Sequence, residues 1–195
     1  MRQVSGMVVG GDVRRAMERV VVVGTSCSGK TTLARQLSRA LGAPHIELDA
    51  IHWKPNWQSR PAEEFRQLVS EAVAGERWVV DGNYSVSRDI VWARATAIVW
   101  LNFSFRVVLW RALYRTTRRV ISREELFSGN RETVRQAFLS RDSIILWATT
   151  TYRRRRRAYR QILDEGAFPH VRIIELRNPA EADALAASLG EPASS

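Results

Sequence analysis

A chain of 195 residues with 45% hydrophobic content has the size and apolar supply of one globular domain, and its single cysteine excludes an internal disulfide framework or a cysteine-based zinc module. The net charge of +10 is carried almost wholly by arginine, since lysine occurs only at Lys30 and Lys54. That balance suits an anionic ligand, a nucleic acid or an acidic membrane, or reflects arginines on a solvated face. No run is long and apolar enough to span a bilayer and the opening residues hold no signal-peptide core, so a cytoplasmic location is expected.

Residues 1–18 are interrupted by glycines and poorly patterned, and are expected to form a flexible extension. A strand is predicted over 19–23, followed by a glycine loop and a helix over 30–41 whose apolar face is Leu33, Ala34, Leu37 and Leu41. Next come a strand over 45–48, a helix over 62–74, and strands over 78–80 and 97–101. Between 104 and 165 there is no strand-like alternation; helical patterns at 104–121, 131–147 and 152–163 suggest a helical lobe or lid at about 115–150. A strand over 171–176 and a helix over 179–189 close the series, with Pro179 where a first helical turn tolerates it; residues 191–195 are expected to fray. Short buried strands separated by helices make an α/β domain over 19–190, a parallel sheet covered on both faces with the loops after its strands along one edge.

The loop Gly24-Thr25-Ser26-Cys27-Ser28-Gly29-Lys30-Thr31 fits the pattern G-x-x-x-x-G-K-[ST] at every position, and it has the strand before it and helix after it that the pattern needs. Its amide groups, with Thr32 at the next position, are suited to cradle phosphates. Lys30 would reach the outer phosphates and the Thr31 hydroxyl would ligate magnesium. Cys27 sits where a helix N-terminus lowers a thiol pKa, but at a variable position its expected role is passive. A second magnesium oxygen is expected from an acid ending a neighbouring strand; Asp81 in "RWVVDGNYS" qualifies, and an Asp-Gly turn is compatible with that role. An Asn-Lys-x-Asp guanine signature is absent from the sequence, which favours ATP over GTP.

Asp49 in "ELDAIHWKPNW" follows the second strand and so falls at the same sheet edge, where an aspartate orients or deprotonates an attacking hydroxyl. His52 and Trp53 are candidates to wall an acceptor pocket, whereas Trp57, Trp78 and Trp100 are expected to pack. On the helix from Ser104, Arg111, Arg115 and Arg118 recur at i, i+4 and i+7, with Arg119 and Arg123 on the adjacent stripe. They are either a solvated face or a clamp on transferring phosphates. The run Arg153–Arg157 carries the same two readings.

Taken together, GTSCSGKTT, ELDAIHWKPNW, WVVDGNYS and the strand ending WLN before an arginine-rich helix resemble the adenylate-kinase-like P-loop proteins known as topology modulation proteins, over roughly residues 20–189. The resemblance implies a five-stranded parallel sheet in the order 2-3-1-4-5 with a mobile helical lid. It also implies that Asp81-Gly82 takes the place of the Asp-Gly pair of nucleotide kinases and Asp49 that of the acceptor aspartate of small-molecule kinases. Two departures stand out. The Asp-Gly pair continues as Asn83-Tyr84-Ser85 rather than Phe-Pro-Arg, which leaves Arg88 as the candidate for gripping an acceptor. The fourth strand ends in Asn102 where such proteins often carry aspartate.

The expectation is therefore an ATP- and magnesium-dependent phosphotransferase acting on a small acceptor such as a nucleoside or nucleotide. Gly24 to Thr32 would hold the phosphates, Thr31 and Asp81 the metal, and Asp49, His52, Trp53 and Arg88 the acceptor. Arg115, Arg118, Arg119 and Arg123 would close over the transfer, and adenine would rest near Arg177, Asn178 and Pro179. The alternative is a nucleic-acid-associated ATP-binding protein whose arginine faces track a phosphate backbone. A nucleotide-binding domain without transfer activity is the third reading.

Overall fold

Four successive valines, Val20–Val23, send side chains alternately to the two faces of one strand, and each face carries a separate buried core. The computed structural model describes residues 16–82, 84–122, 144–164, 166 and 168–190. Among them are strands β1 (Arg19–Gly24), β2 (His45–Glu47), β3 (Trp53–Lys54), β4 (Gln58–Ser59), β5 (Trp78–Asp81), β6 (Ala97–Leu101) and β7 (Arg172–Leu176). The helices are α1 (Lys30–Leu41), α2 (Leu48–His52), α3 (Ala62–Ala72), α4 (Arg88–Arg94), α5 (Phe105–Ser122), α6 (Ile144–Asp164) and α7 (Pro179–Gly190).

Five strands form one parallel sheet in the order β2-β5-β1-β6-β7. In detail this differs from the expected 2-3-1-4-5 because β3 and β4, which had not been predicted, lie in the chain between the second and third strands of the sheet; passing over them, the order is the same. β3 and β4 pair antiparallel outside the sheet, Trp53 opposite Ser59 and Lys54 opposite Gln58. Asn56 and Trp57 between them have φ of 58° and 55°, the left-handed region that tight hairpin turns require and that tryptophan rarely enters. Lys54 and Arg60 both pair with Glu64 and tie this ribbon to α3.

On one face, Val20, Val22, Val99 and Leu101 pack against Leu33, Leu37 and Leu41 of α1 and Leu189 of α7. On the other, Val21, Val23, Ile98 and Trp100 pack with Phe65 and Val69 of α3, Val91 and Trp92 of α4 and Tyr159 of α6. Trp78 is fully buried there and donates its indole N–H to the Val73 carbonyl at 3.2 Å. Trp78→Ala removes the largest fully buried side chain and is expected to cost about 3–5 kcal/mol, read as a lowered chemical-denaturation midpoint.

Several boundaries move from those expected. Met17 is fully buried in the first core, so the folded domain takes in the end of the expected extension. Leu48 begins a helical turn instead of ending β2, and α3 stops at Ala72 because Val73 closes it. The patterns at 131–147 and 152–163 do not meet at a break. α6 runs from Ile144 to Asp164, since the connecting Ala148, Thr149, Thr150 and Thr151 contain no glycine or proline to interrupt it. The rest of the 131–147 pattern, Arg123 and residues 191–195 lie outside the described residues, as does all but the end of the 1–18 extension. Trp57 was expected to pack, but it is among the exposed large hydrophobic side chains and meets Trp53 edge to face.

Candidate functional site

Strand register sets the site's edge. Val22 lies opposite Asp81 and Asp81 opposite Glu47, while on the other side Gly24 lies opposite Leu101 and Leu101 opposite Leu176. The loop after β1, the acids ending β2 and β5, and Arg177-Asn178 after β7 therefore share the carboxyl edge of the sheet, the usual place for ligands in such folds.

The glycine loop leaves β1 and enters α1 at Lys30. Cys27 and Gly29 both take left-handed conformations, with φ of 62° and 96°, and Gly29 is the residue preceding the helix. A side chain on Gly29 would be strained, and its Cβ would fall 2.6 Å from the Arg111 guanidinium. Arg111, from α5, donates to the Ser28 carbonyl and lies over the Phe103 ring, 5.1 Å from its centre. Thr25 and Ser28 are buried, and their hydroxyls have no hydrogen-bond partner among the described residues. Lys30 Nζ donates to the Thr25 carbonyl at 3.1 Å. Burial holds the Lys30 pKa below the ordinary lysine value; Asp49 and Asp81 oppose that shift, and Arg155 and Arg115 add to it. A cation destabilised in this way is poised to receive an anion.

Asp81 is 3% exposed, and its Oδ2 is 3.6 Å from His45 Nε2 with no hydrogen bond among the described residues. The Thr31 hydroxyl faces Glu47 Oε1 at 3.5 Å, and Arg35 pairs with the other Glu47 oxygen at 3.4 Å. An orphaned buried carboxylate oxygen beside the helix that carries Thr31 fits a magnesium ion. Among the described residues no group of three or more His, Cys, Asp or Glu is arranged to hold a metal alone. Magnesium bound next to phosphates needs only one or two protein oxygens.

Burial and the neighbouring Asp81 raise the Glu47 pKa, with Arg35 opposing. A carboxyl group whose folded value is raised binds more protons when folded, so stability falls as pH climbs from the ordinary carboxylate value through the folded one. Glu47→Gln is accordingly expected to melt higher than the unaltered chain at neutral pH, with the difference shrinking as pH drops below the carboxylate range. Thermal melts across pH would check it.

Asp49 lies on α2, where Oδ1 accepts a 2.6 Å hydrogen bond from the Tyr84 hydroxyl. Burial and Asp49 together push the Tyr84 hydroxyl pKa well above the usual tyrosine value, while a hydrogen bond from Trp53 works against them. The His52 ring lies 4.5 Å from Tyr84, 4.7 Å from Trp53 and 5.2 Å from Phe65, centre to centre, and its burial lowers its pKa against the pull of Asp49. Gly82 holds this wall against β5: with φ of 140°, it brings its backbone so close to Leu48 that an added Cβ would meet Leu48 Cβ at 2.6 Å.

Of the predicted residues, Gly24 to Thr32, Lys30, Asp49, Asp81, His52 and Trp53 converge on this edge. Arg88 lies over Trp92, 5.1 Å from the ring centre, and lines a small cavity with Tyr84, Leu48 and Gly82. Arg115 is within electrostatic reach of Lys30. Arg118 and Arg119 are on α5 with side chains outside the description, and Arg123 is beyond it. Asn178 caps α7: its Oδ1 accepts from the Glu181 amide at 3.0 Å and its Nδ2 donates to Glu181 Oε1 at 2.7 Å. Arg111, from the predicted arginine stripe, belongs to the assembly, as do three further side chains: Glu47, Tyr84 and Arg155. Arg155 stands out from its run, half-buried where Arg153, Arg154, Arg156 and Arg157 are exposed, and it faces Asp49 and Tyr84 electrostatically. Asn102, at the end of β6, is held by Glu175 through its side-chain amide at 2.5 Å.

A family model described as an AAA domain matches residues 20–182. A shikimate kinase from Acinetobacter baumannii in complex with shikimate has a similar structure, with a TM-score of 0.55 at 15% identity over 91% of this chain and 93% of its own. A gluconokinase from Sinorhizobium meliloti 1021 gives 0.50 at 21% identity over 88% and 91%, and a shikimate kinase from Aquifex aeolicus gives 0.50 at 17% over 88% and 95%. Identities this low establish a shared fold, the α/β fold with a five-stranded parallel sheet flanked by helices. No curated protein sequence matches the chain. Among the described residues, no helix is long and apolar enough to cross a membrane.

Proposed function

The chain belongs to the AAA domain family, and from that premise we propose that it is an ATP-dependent, magnesium-requiring phosphotransferase that moves the γ-phosphoryl group to a small hydroxyl acceptor. Within that family, the linked LDAIHWKPNW and DGNYS elements support kinship with the topology modulation proteins. One observation carries the proposal: strand register brings Lys30 after β1, Asp81 at the end of β5 and Asp49 just after β2 to a single sheet edge, where both carboxylates offset the burial of the Lys30 cation.

In the transfer, the bond between the γ-phosphorus and its bridging oxygen to ADP breaks, and a bond from the acceptor hydroxyl to that phosphorus forms. Asp49 receives the hydroxyl proton. Tyr84 fixes one oxygen of that carboxylate and leaves the other for the acceptor. Lys30 neutralises charge on the transferring group, and the loop amides hold the phosphates against the N-terminus of α1. Thr31 and Asp81 would hold magnesium, which would supply positive charge to offset that of the phosphates. His52 and Trp53 wall the acceptor, Arg115, Arg118, Arg119 and Arg123 screen the phosphates, and adenine rests beside Arg177, Asn178 and Pro179. Arg111, turned onto the Ser28 carbonyl, supports this reading over a nucleic-acid-associated protein, whose arginines would face a backbone outside the fold. A screen of nucleosides, nucleotides and small hydroxyl compounds for ATP-dependent phosphorylation tests the proposal: a phosphorylated product supports it, and ATP turnover with no acceptor modified would overturn it.

A further inference from the structure

Beside the Asp49 wall, a cavity of about 170 Å³ opens between α4 and α6, lined by Ser85, Arg88, Arg155, Ala158, Tyr159 and Ile162. Two guanidinium groups from different helices share this one small space. Each offers the forked donors that match a carboxylate or a phosphate. Tyr159 completes the wall, its hydroxyl buried toward the Gly24 backbone. Two neighbouring carboxylates are engaged elsewhere. Asp49 is held by Tyr84, and Asp89, on the same helix as Arg88, is taken by Arg66 through two 2.8 Å hydrogen bonds.

The cavity is also continuous with the chemistry. Arg88 lines both it and the neighbouring cavity formed with Tyr84, Leu48 and Gly82, and Arg155 lies within electrostatic reach of Asp49, Tyr84 and Lys30. A molecule whose anionic group sits between Arg88 and Arg155 can present a hydroxyl to Asp49.

We infer that Arg88 and Arg155 form an anion seat, so that the acceptor is a small hydroxyl compound that also carries a carboxylate or a phosphate. The inference rests on the phosphotransferase reading for the word acceptor, but the seat itself can be tested without turnover. The full chain is first saturated with magnesium and a non-hydrolysable ATP analogue, which fills the phosphate loop. Inorganic phosphate and, separately, glycolate are then titrated calorimetrically at constant ionic strength, so that screening does not pass for competition.

At least one of the two anions is expected to bind, and the pair distinguishes a phosphate seat from a carboxylate seat. Arg88→Ala and Arg155→Ala should each weaken binding at least tenfold, while Arg157→Ala, an exposed neighbour on the same helix, should leave it unchanged. Affinity for the ATP analogue and the melting temperature check that each variant is folded, and Arg155→Gln replaces Arg155→Ala should the latter not fold. No binding of either anion, or binding unaltered by both arginine substitutions, overturns the seat. Arginine-dependent binding with no phosphate transferred to any hydroxyl compound, anionic or neutral, keeps the seat and overturns the phosphotransferase reading instead.

Discussion

Asp49→Asn is expected to lower kcat for the best acceptor by about 10²–10⁴-fold, the usual contribution of a positioned general base. The substitution keeps the size of the side chain and an oxygen to accept the 2.6 Å hydrogen bond from Tyr84, so the wall of His52, Trp53 and Tyr84 stays in place. What it removes is the negative charge proposed to receive the hydroxyl proton. Affinity for the ATP analogue should change little, since Asp49 stands on α2 and the phosphates on the loop before α1. Steady-state kinetics beside calorimetric nucleotide binding would separate the two. An unchanged kcat would take Asp49 out of the reaction.

Lys30→Met is expected to lower kcat/KM by about 10²–10³-fold, the scale set by removing one preorganised electrostatic contact to a transition state. The opposite effect is expected on the free protein. Burial holds the Lys30 pKa down, so its charge is carried in the folded state at a cost. A lysine with a depressed folded value binds fewer protons folded than unfolded, and its stability contribution rises with pH between the folded value and the ordinary lysine one. Methionine fills nearly the same space without that charge. The variant should therefore melt at a higher temperature than the unaltered chain at neutral pH, with the advantage fading as the solution becomes alkaline. Activity lost together with melting temperature would mean that Lys30 holds the loop's fold rather than its ligand.

Local signals in the chain disclose much of this architecture. The spacing of Gly24, Gly29, Lys30 and Thr31 requires one backbone shape, and the joining of β1, β5 and β6 in one parallel sheet follows from short buried runs separated by helices. Asp49 and Asp81 were legible because each directly follows or ends such a run. Tyr84 was not, because its role depends on α2 crossing the end of β5, a long-range packing event. Arg155 was hidden by its neighbours: five consecutive arginines carry no periodicity, and only the docking of α6 decides which of them turns inward. Glu47 is one residue before a helical turn that the alternation of the strand concealed. The hairpin of β3 and β4 and the seven-residue α4 are shorter than any window over which a period can be recognised.

The close approach of Gly82 to Leu48 ties together two residues with separate tasks, because Gly82 follows Asp81 and Leu48 precedes Asp49. The carboxylates proposed for the metal and for the acceptor thus share a single mechanical stop. Substitutions that widen the proposed acceptor pocket through Leu48 should shift the preferred divalent ion at the same time, so altering the acceptor of the proposed phosphotransferase would call for paired changes on both sides of that contact.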